Sequence, residues 1–363
     1  MIFMKILLLS KYSRKGASTR LRLLQYLPLL EIKGFEFTVS SLFDDQYLDM
    51  LYQKGKRSRF RIIMLYLRRL FVVFRAFRYD VIWIEKEIFP YMPALAERVF
   101  HALGKHYVVD YDDAIFHNYD LSSNPFLRLA LGRKIDVVMR CASSVVVGND
   151  YLASRAKSAG ATRVELVPTV VDATRYSSIE SSVASSPVIG WIGSPSTQRY
   201  VVSIAHALSS MCQKYNARLL LVGASVDITS EFPGVDVEVA PWSEASEAEL
   251  IAAMDIGIMP LPDGPWEKGK CGYKLIQYMA CGIPVIASPV GVNVDIVGNN
   301  QCGLLVANEA EWEIALDSLL ELPAQRLKLG SAGRQAVDDQ YSLAIQAPVL
   351  ASILTQSLIG PGG

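Results

Sequence analysis

Short apolar runs, each closed by glycine, proline or an acid and each followed by a helical stretch, recur along this 363-residue chain, and the series starts afresh at Val188. Residues 4–10, 35–41, 81–85, 107–109, 143–147 and 163–167 read as one set of strands. Residues 188–192, 217–222, 235–240, 256–261, 284–287 and 304–306 read as a second set. Runs this short and this uniformly apolar are strands covered on both faces. Their alternation with helices implies parallel sheets with right-handed crossovers. The chain is long for one hydrophobic core, so the two sets predict two α/β domains, residues 1–172 and 187–340. Residues 173–186, which end in SSIESSVASS, have the composition of a linker. Residues 341–363 hold a last helix.

The second set converges on residues 260–297, PLPDGPWEKGKCGYKLIQYMACGIPVIASPVGVNVDIV. Pro260, Pro262, Gly264 and Pro265 end the preceding strand. Leu275, Ile276 and Met279 have the spacing of a buried helix face, and Cys281-Gly282 stops that helix. A glycine-containing loop feeding a helix N-terminus offers unpaired N–H groups to an anion, and Lys268, Lys270 and Lys274 add charge. The plainer alternative is an ordinary αβ connection. After the domain's first strand come Gly193-Ser194-Pro195-Ser196-Thr197 and a helix carrying Arg199, where small residues let a phosphate approach the backbone.

The first domain opens with a strand, a loop over residues 11–18 containing Gly16, and an amphipathic helix predicted over 19–33 with Ser18 as N-cap. Nucleotide-type α/β domains begin this way, but neither G-x-G-x-x-G nor the P-loop pattern is present, which argues against dinucleotide or ATP binding here. Arg20 and Arg22 in the first turn oppose the helix dipole and point to a bound anion. Asp110, Asp112 and Asp113 follow the strand at 107–109. Ligands of open α/β sheets lie beyond the carboxyl ends of strands, and clustered carboxylates raise one another's pKa, which suits proton transfer. Helix capping by Asp112 or Asp113 is the structural alternative.

Residues 54–78, KGKRSRFRIIMLYLRRLFVVFRAFR, hold nine Lys or Arg and no acid. A basic amphipathic helix of this kind reads as a surface for anionic lipid, or as a core helix with a basic outer face. No nucleic-acid-binding module accompanies the charge. Lys and Arg outnumber Asp and Glu 27 to 18 over residues 1–180 and are outnumbered 9 to 18 beyond. The neutral total therefore conceals two halves of opposite sign, the first suited to an anionic surface or substrate. Attraction between the halves accounts for part of the split. The five cysteines form no CxxC pair, so neither a disulfide framework nor a zinc site is expected. Without a leader or an 18-residue apolar run, a cytosolic, reduced protein is expected.

Residues 239–261 (VAPWSEASEAELIAAMDIGIMPL) and 269–290 (GKCGYKLIQYMACGIPVIASPV) resemble the C-terminal domain of family 4 glycosyltransferases. That family reads E-G-F-G-L-x-x-x-E-A-M-A-C-G-x-P-V-I-A, and QYMACGIPVIA matches its second half. ASTRLRLLQYLPLLE and VVDYDDAIF fit one bacterial branch. The resemblance implies the GT-B fold, α/β with two Rossmann-like domains facing across a cleft and the last helix returning to the first domain. It implies transfer, with retention, of a hexose-type sugar from a nucleotide-diphosphate sugar to a glycan or lipid-linked acceptor. Neither a metal nor another cofactor is implied. The setting would be surface polysaccharide or lipopolysaccharide synthesis in the cytoplasm, on the inner membrane face through residues 54–78, with no nucleic acid.

By the same resemblance Gly193, Ser194, Arg199, Lys270, Gly272, Tyr273 and Gln277 bind the donor. Gly16, Ser18 and Arg20 lie on the acceptor side, and Asp112, Asp113 and Lys274 are catalytic. The departures are specific. The family's two glutamates fall on Gly269 and Gln277; the amide oxygen of Gln277 still accepts from a ribose hydroxyl, while Glu267 or the N–H groups of residues 270–273 would replace the other. Trp191 stands near the usual arginine, so Lys270, Lys274 or Arg199 would supply its charge. Asp112 takes the place of the family's histidine, and Asp113 keeps the aspartate. Loss of both glutamates leaves a non-catalytic nucleotide-sugar-binding subunit as an alternative, with a GT-B-fold epimerase as another.

Overall fold

The computed structural model describes residues 4–54, 58–176 and 186–358. Residues 177–185 of the Ser-rich stretch and residues 55–57 of the basic segment lie outside the described residues. The chain divides into two units, Met1–Thr169 with Gln346–Gly363, and Val170–Ile345.

In the first unit β1 (Met4–Tyr12), β2 (Phe35–Phe43), β3 (Val81–Glu85), β4 (Tyr107–Tyr111), β5 (Ser144–Val147) and β6 (Val164–Leu166) form one sheet. All its pairings are parallel, in the order β2-β1-β3-β4-β5-β6. The second unit's sheet holds β7 (Val188–Ile192), β8 (Arg218–Val222), β9 (Val237–Ala240), β10 (Ile256–Met259), β11 (Val285–Ala287) and β12 (Gly303–Leu305). It too is parallel, ordered β12-β11-β10-β7-β8-β9. In each sheet the chain leaves its first strand towards one edge and later returns to that strand's other side. The strand order therefore switches between β1 and β3, and between β7 and β10. Beyond the carboxyl ends of the strands at such a switch, the outgoing loops diverge and leave a crevice.

The uniformly apolar strands behave as expected of two-sided burial. Val188, Leu220, Val222, Met259, Val285 and Ala287 pack on one face of the second sheet. Their neighbours Ile189, Leu219, Leu221, Ile258 and Ile286 pack on the other, the period-two alternation of a pleated strand. The helix Tyr273–Ala280 lies on the first of these faces with Leu275, Ile276 and Met279 fully buried, each stabilising by roughly 1.5–3 kcal/mol.

Three local expectations are corrected. The domain boundary falls before Val170: Val171 bridges to Ser342, and buried Tyr176 joins the second core, so residues 173–176 belong to that domain and not to a linker. The helix expected over 19–33 is instead a π-turn (Thr19–Leu23), a 3₁₀ turn (Leu24–Tyr26) and an α-helix (Leu27–Ile32). Pro28 lacks the N–H a continuous ladder needs, and the wide turn buries Thr19 and Arg22 against polar partners in β3 and β4. Ser18 is not an N-cap: its backbone is already helical and its side chain makes no capping bond.

Candidate functional site

The predicted residues fall into two groups, each at the switch point of its own sheet. In the first unit the chain leaves β1 into the loop that carries Gly16 and Ser18, and leaves β3 through Glu85-Lys86-Glu87. Lys86 has φ of +66°, a left-handed conformation that is uncommon outside glycine. The turn points its buried ammonium at Asp112 Oδ1 (2.7 Å) and Asp113 Oδ2 (3.6 Å), and the ammonium also donates to Ser18 Oγ at 3.2 Å. Glu85, the last residue of β3, accepts from the Lys11 N–H and the Thr19 hydroxyl, both at 2.7 Å.

Asp112 and Asp113 therefore share one lysine, Lys86, which no motif in the sequence marks. Burial alone would raise the Asp112 carboxyl, but the charge of Lys86, with hydrogen bonds from Lys86 and Ser18, holds it below its usual value. This corrects the expectation of mutually raised carboxyls at that position. Asp110 is raised, by burial foremost. It is not part of an open site, because Arg22 grips it with two bonds of 2.8 and 3.1 Å and donates a third to the Val167 carbonyl at 2.7 Å. Arg22 is accordingly a structural brace and not an anion receptor. Arg20 is buried and donates to the Arg14 carbonyl at 3.3 Å, and Gly16 accepts from the Arg20 N–H at 2.9 Å.

In the second unit Gly193 follows β7 directly. A Cβ at Gly193 would lie 2.2 Å from the Trp191 ring and 2.9 Å from Lys274 Nζ, so only glycine lets this backbone pass beneath the lysine. Gly272, the N-cap of the helix Tyr273–Ala280, has φ of +64°, and its Cβ would meet Ile296 at 2.4 Å. That turn sends Lys274 back across the switch point, where its ammonium stands 4.3 Å over the Trp191 ring centroid. Among the described residues Lys274 has neither an ion pair nor a hydrogen bond. Burial first, and then the neighbouring charge of Lys270, push its amine from 10.5 down to about 7. A cation held this way beside the first N–H groups of a helix is a receptor for an anion.

Other predicted contacts are already engaged. The Ser194 N–H donates to Thr197 Oγ1 at 3.2 Å and the Gly193 N–H to the Val222 carbonyl at 2.9 Å, so this loop's N–H groups are not the open cradle expected. The helix carrying Arg199 is only four residues long; Arg199 is exposed and bonds the Tyr200 hydroxyl at 3.3 Å. Glu267 accepts from the Tyr200 hydroxyl at 2.6 Å and so ties the two loops together. Lys268 pairs with Asp263 at 3.1 Å. Gln277 is buried and its amide nitrogen donates to the Tyr176 hydroxyl at 3.2 Å. That hydroxyl in turn donates to Glu247 at 3.1 Å, which also accepts from the Trp242 indole at 3.0 Å. The amide nitrogen of Gln277 is thus spent within the domain. Tyr176 and Glu247 lie far in sequence from the residues they serve, and no motif marks them.

The basic helix Arg59–Arg75 differs from expectation in which residues are available. Arg69 is buried and donates to the carbonyls of Ser10 (2.6 Å) and Ser40 (2.9 Å), with burial pushing it down to about 9. Arg61 pairs with Asp44 at 2.7 Å. No helix among the described residues is long and apolar enough to cross a membrane.

Comparison with known proteins agrees with this architecture. Over 97% of its length the chain superposes on 98% of sucrose-phosphate synthase from Thermosynechococcus elongatus, with a TM-score of 0.73 at 17% identity. It also superposes, over 97% of this chain and 100% of the other, on Anabaena HepE in complex with UDP-glucose, with a TM-score of 0.69 at 18% identity. The fold is the two-domain α/β GT-B architecture. Residues 186–322, which include Gly193, Gly272 and Lys274, match the family described as Glycosyl transferases group 1. A D-inositol 3-phosphate glycosyltransferase of Pseudarthrobacter chlorophenolicus is 29% identical over 124 residues, 33% of this chain and 26% of that one.

Proposed function

We propose that this chain is a glycosyltransferase that takes its sugar from a nucleotide-diphosphate donor. The observation that carries the reading is Lys274, a buried ammonium lacking an anionic partner among the described residues, poised over Gly193 at the switch point of the group 1 domain. As the glycosidic bond breaks, negative charge grows on the diphosphate. Lys274, Lys270 and the first N–H groups of the Tyr273–Ala280 helix are arranged to meet that charge, and preorganised electrostatics of this sort is usually the largest catalytic contribution. The finer reading is a family 4 enzyme that retains configuration, moves a hexose without a metal, and serves a glycan or lipid-linked acceptor. Its setting is surface polysaccharide or lipopolysaccharide synthesis at the cytoplasmic face of the inner membrane.

In this reading the first domain handles the acceptor at Gly16, Ser18, Arg20, Asp112 and Asp113. Asp112, kept ionised by Lys86, is a weak base and a strong hydrogen-bond acceptor, so it orients a sugar hydroxyl. The leaving phosphate oxygen takes the acceptor proton. Gln277 takes the ribose through its carbonyl oxygen, since its amide nitrogen is held by Tyr176. The test is a panel of UDP- and GDP-sugars incubated with the protein in the presence of EDTA and followed by NMR. At least one should be slowly hydrolysed with its anomeric configuration kept; neither binding nor turnover across the panel would sink the proposal. A non-catalytic donor-binding subunit is the second reading, favoured by glycine and glutamine standing at Gly269 and Gln277. It binds one donor from the panel and never turns it over, even with a lysate of acceptors.

A further inference from the structure

The helix Arg59–Arg75 turns the wrong residues outward. Its core-facing side chains are Leu65, Arg69 and Val73, while Phe60, Ile63, Met64, Leu67, Phe71 and Phe74 are all exposed, Phe71 at 61% and Phe74 at 71%. On a 3.6-residue helix, Ile63 and Leu70 form one row, Phe60, Leu67 and Phe74 the next, and Met64 with Phe71 a third. Arg61, Arg68 and Arg75 form the row after these. The solvent side is thus a broad apolar face edged by arginine. A solvated helix shows the reverse.

A groove of about 570 Å³ runs between this helix and the helix Leu95–Ala102, lined by Ile63, Leu67, Leu70, Phe74, Leu95 and Val99 among others. Its volume is within the range of small-ligand pockets. Pro93 and Leu95 also line a second hollow of about 510 Å³, which contains Arg98, Arg128 and Arg133, all exposed. No carboxylate lines either hollow. Leu129, at the second hollow, is 88% exposed. An apolar trough that opens beside a cluster of arginines is complementary to one class of molecule, an alkyl chain joined to an anionic head.

We infer that this surface seats the first domain on an anionic bilayer, with an acyl chain of one phospholipid in the groove and its phosphate over Arg98, Arg128 and Arg133. The inference rests on the reading that the protein works at a membrane, and it changes how the attachment is made. Apolar insertion provides the hold; the arginines select the lipid. Arg61 and Arg69, spent on Asp44 and on backbone carbonyls, do not contribute.

Vesicle flotation tests this without any sugar chemistry, so it can fail while donor binding succeeds, and the reverse. Phosphatidylcholine vesicles with and without 30% phosphatidylglycerol are the probes. The wild type should float with the anionic vesicles and persist in part at high salt. Leu70→Glu with Val99→Glu, both at exposed positions, should lower the bound fraction at least tenfold while leaving the circular-dichroism melt unchanged. Arg98→Gln with Arg133→Gln should remove the preference for phosphatidylglycerol, about fivefold per arginine near the surface. Three results would overturn the inference: no flotation of the wild type, flotation indifferent to the two glutamates, or a dimer by light scattering that those glutamates dissociate without any lipid binding by the wild type.

Discussion

Replacing Lys274 with methionine should make the protein more stable and, in the same step, unable to hold a diphosphate. The amine is pushed from 10.5 to about 7. Between those values the unfolded chain binds a proton that the folded chain does not, so the folded state is penalised. The penalty is complete below about pH 7 and disappears above about pH 10.5. At most it amounts to about 4 kcal/mol at pH 7 and about 2 kcal/mol at pH 9. Methionine keeps the length of the side chain and loses the contact with the Trp191 ring, worth about 1–2 kcal/mol for a desolvated cation. Only about half the amines are charged at pH 7, so this loss applies in part and the net is a gain of about 3 kcal/mol, or roughly 6–12 °C in melting temperature for a domain of this size. At pH 9 the amine is neutral and has no cation contact to lose, so the gain should fall to about 2 kcal/mol. The assay is scanning calorimetry of wild type and Lys274→Met at both pH values. A variant that melts lower at pH 7, or whose advantage is the same at pH 9, would refute the reasoning and make Lys274 an ordinary structural lysine.

Arg22→Ala should cost about 3–5 kcal/mol, because it leaves Asp110 charged and buried; denaturant melts should show this loss with UDP binding by the second domain unchanged. Gly193→Ala would drive a methyl into Trp191 and Lys274, and it should weaken UDP or GDP binding at least tenfold in calorimetry. Asp112→Asn should leave donor binding within twofold and lower transfer at least tenfold, since it removes the carboxylate paired with Lys86 while keeping the shape; equal losses in both would mean a structural role only.

The sheets were legible because their strands are apolar on both faces, a property each run carries by itself. The switch-point loop was legible for a similar reason, since Gly272 and the lysines are neighbours in sequence. What was not legible depends on partners far along the chain. The π-turn at Thr19–Leu23 answers to Glu85 and Asp110, 66 and 88 residues away. The fate of Gln277 depends on Tyr176, 101 residues before it, in a segment whose composition looked like linker. Lys86 was hidden because its importance lies in a left-handed backbone that no side chain announces. For the helix Arg59–Arg75, periodicity established an amphipathic helix but not which side faces the core. Three adjacent rows are apolar, and the structure buries the side containing Arg69.

The central claim is that the crevice between β7 and β10 receives a diphosphate through Lys274. Isothermal titration of UDP and GDP into wild type and Lys274→Met, at pH 8 in two buffers of different ionisation enthalpy, tests it most directly. The account predicts saturable binding of at least one nucleotide by the wild type, with uptake of about 0.9 proton as the anion restores the charge on Lys274. It predicts at least a tenfold weaker affinity and no proton uptake for the variant. Equal binding by both proteins, or binding without proton uptake, would contradict it.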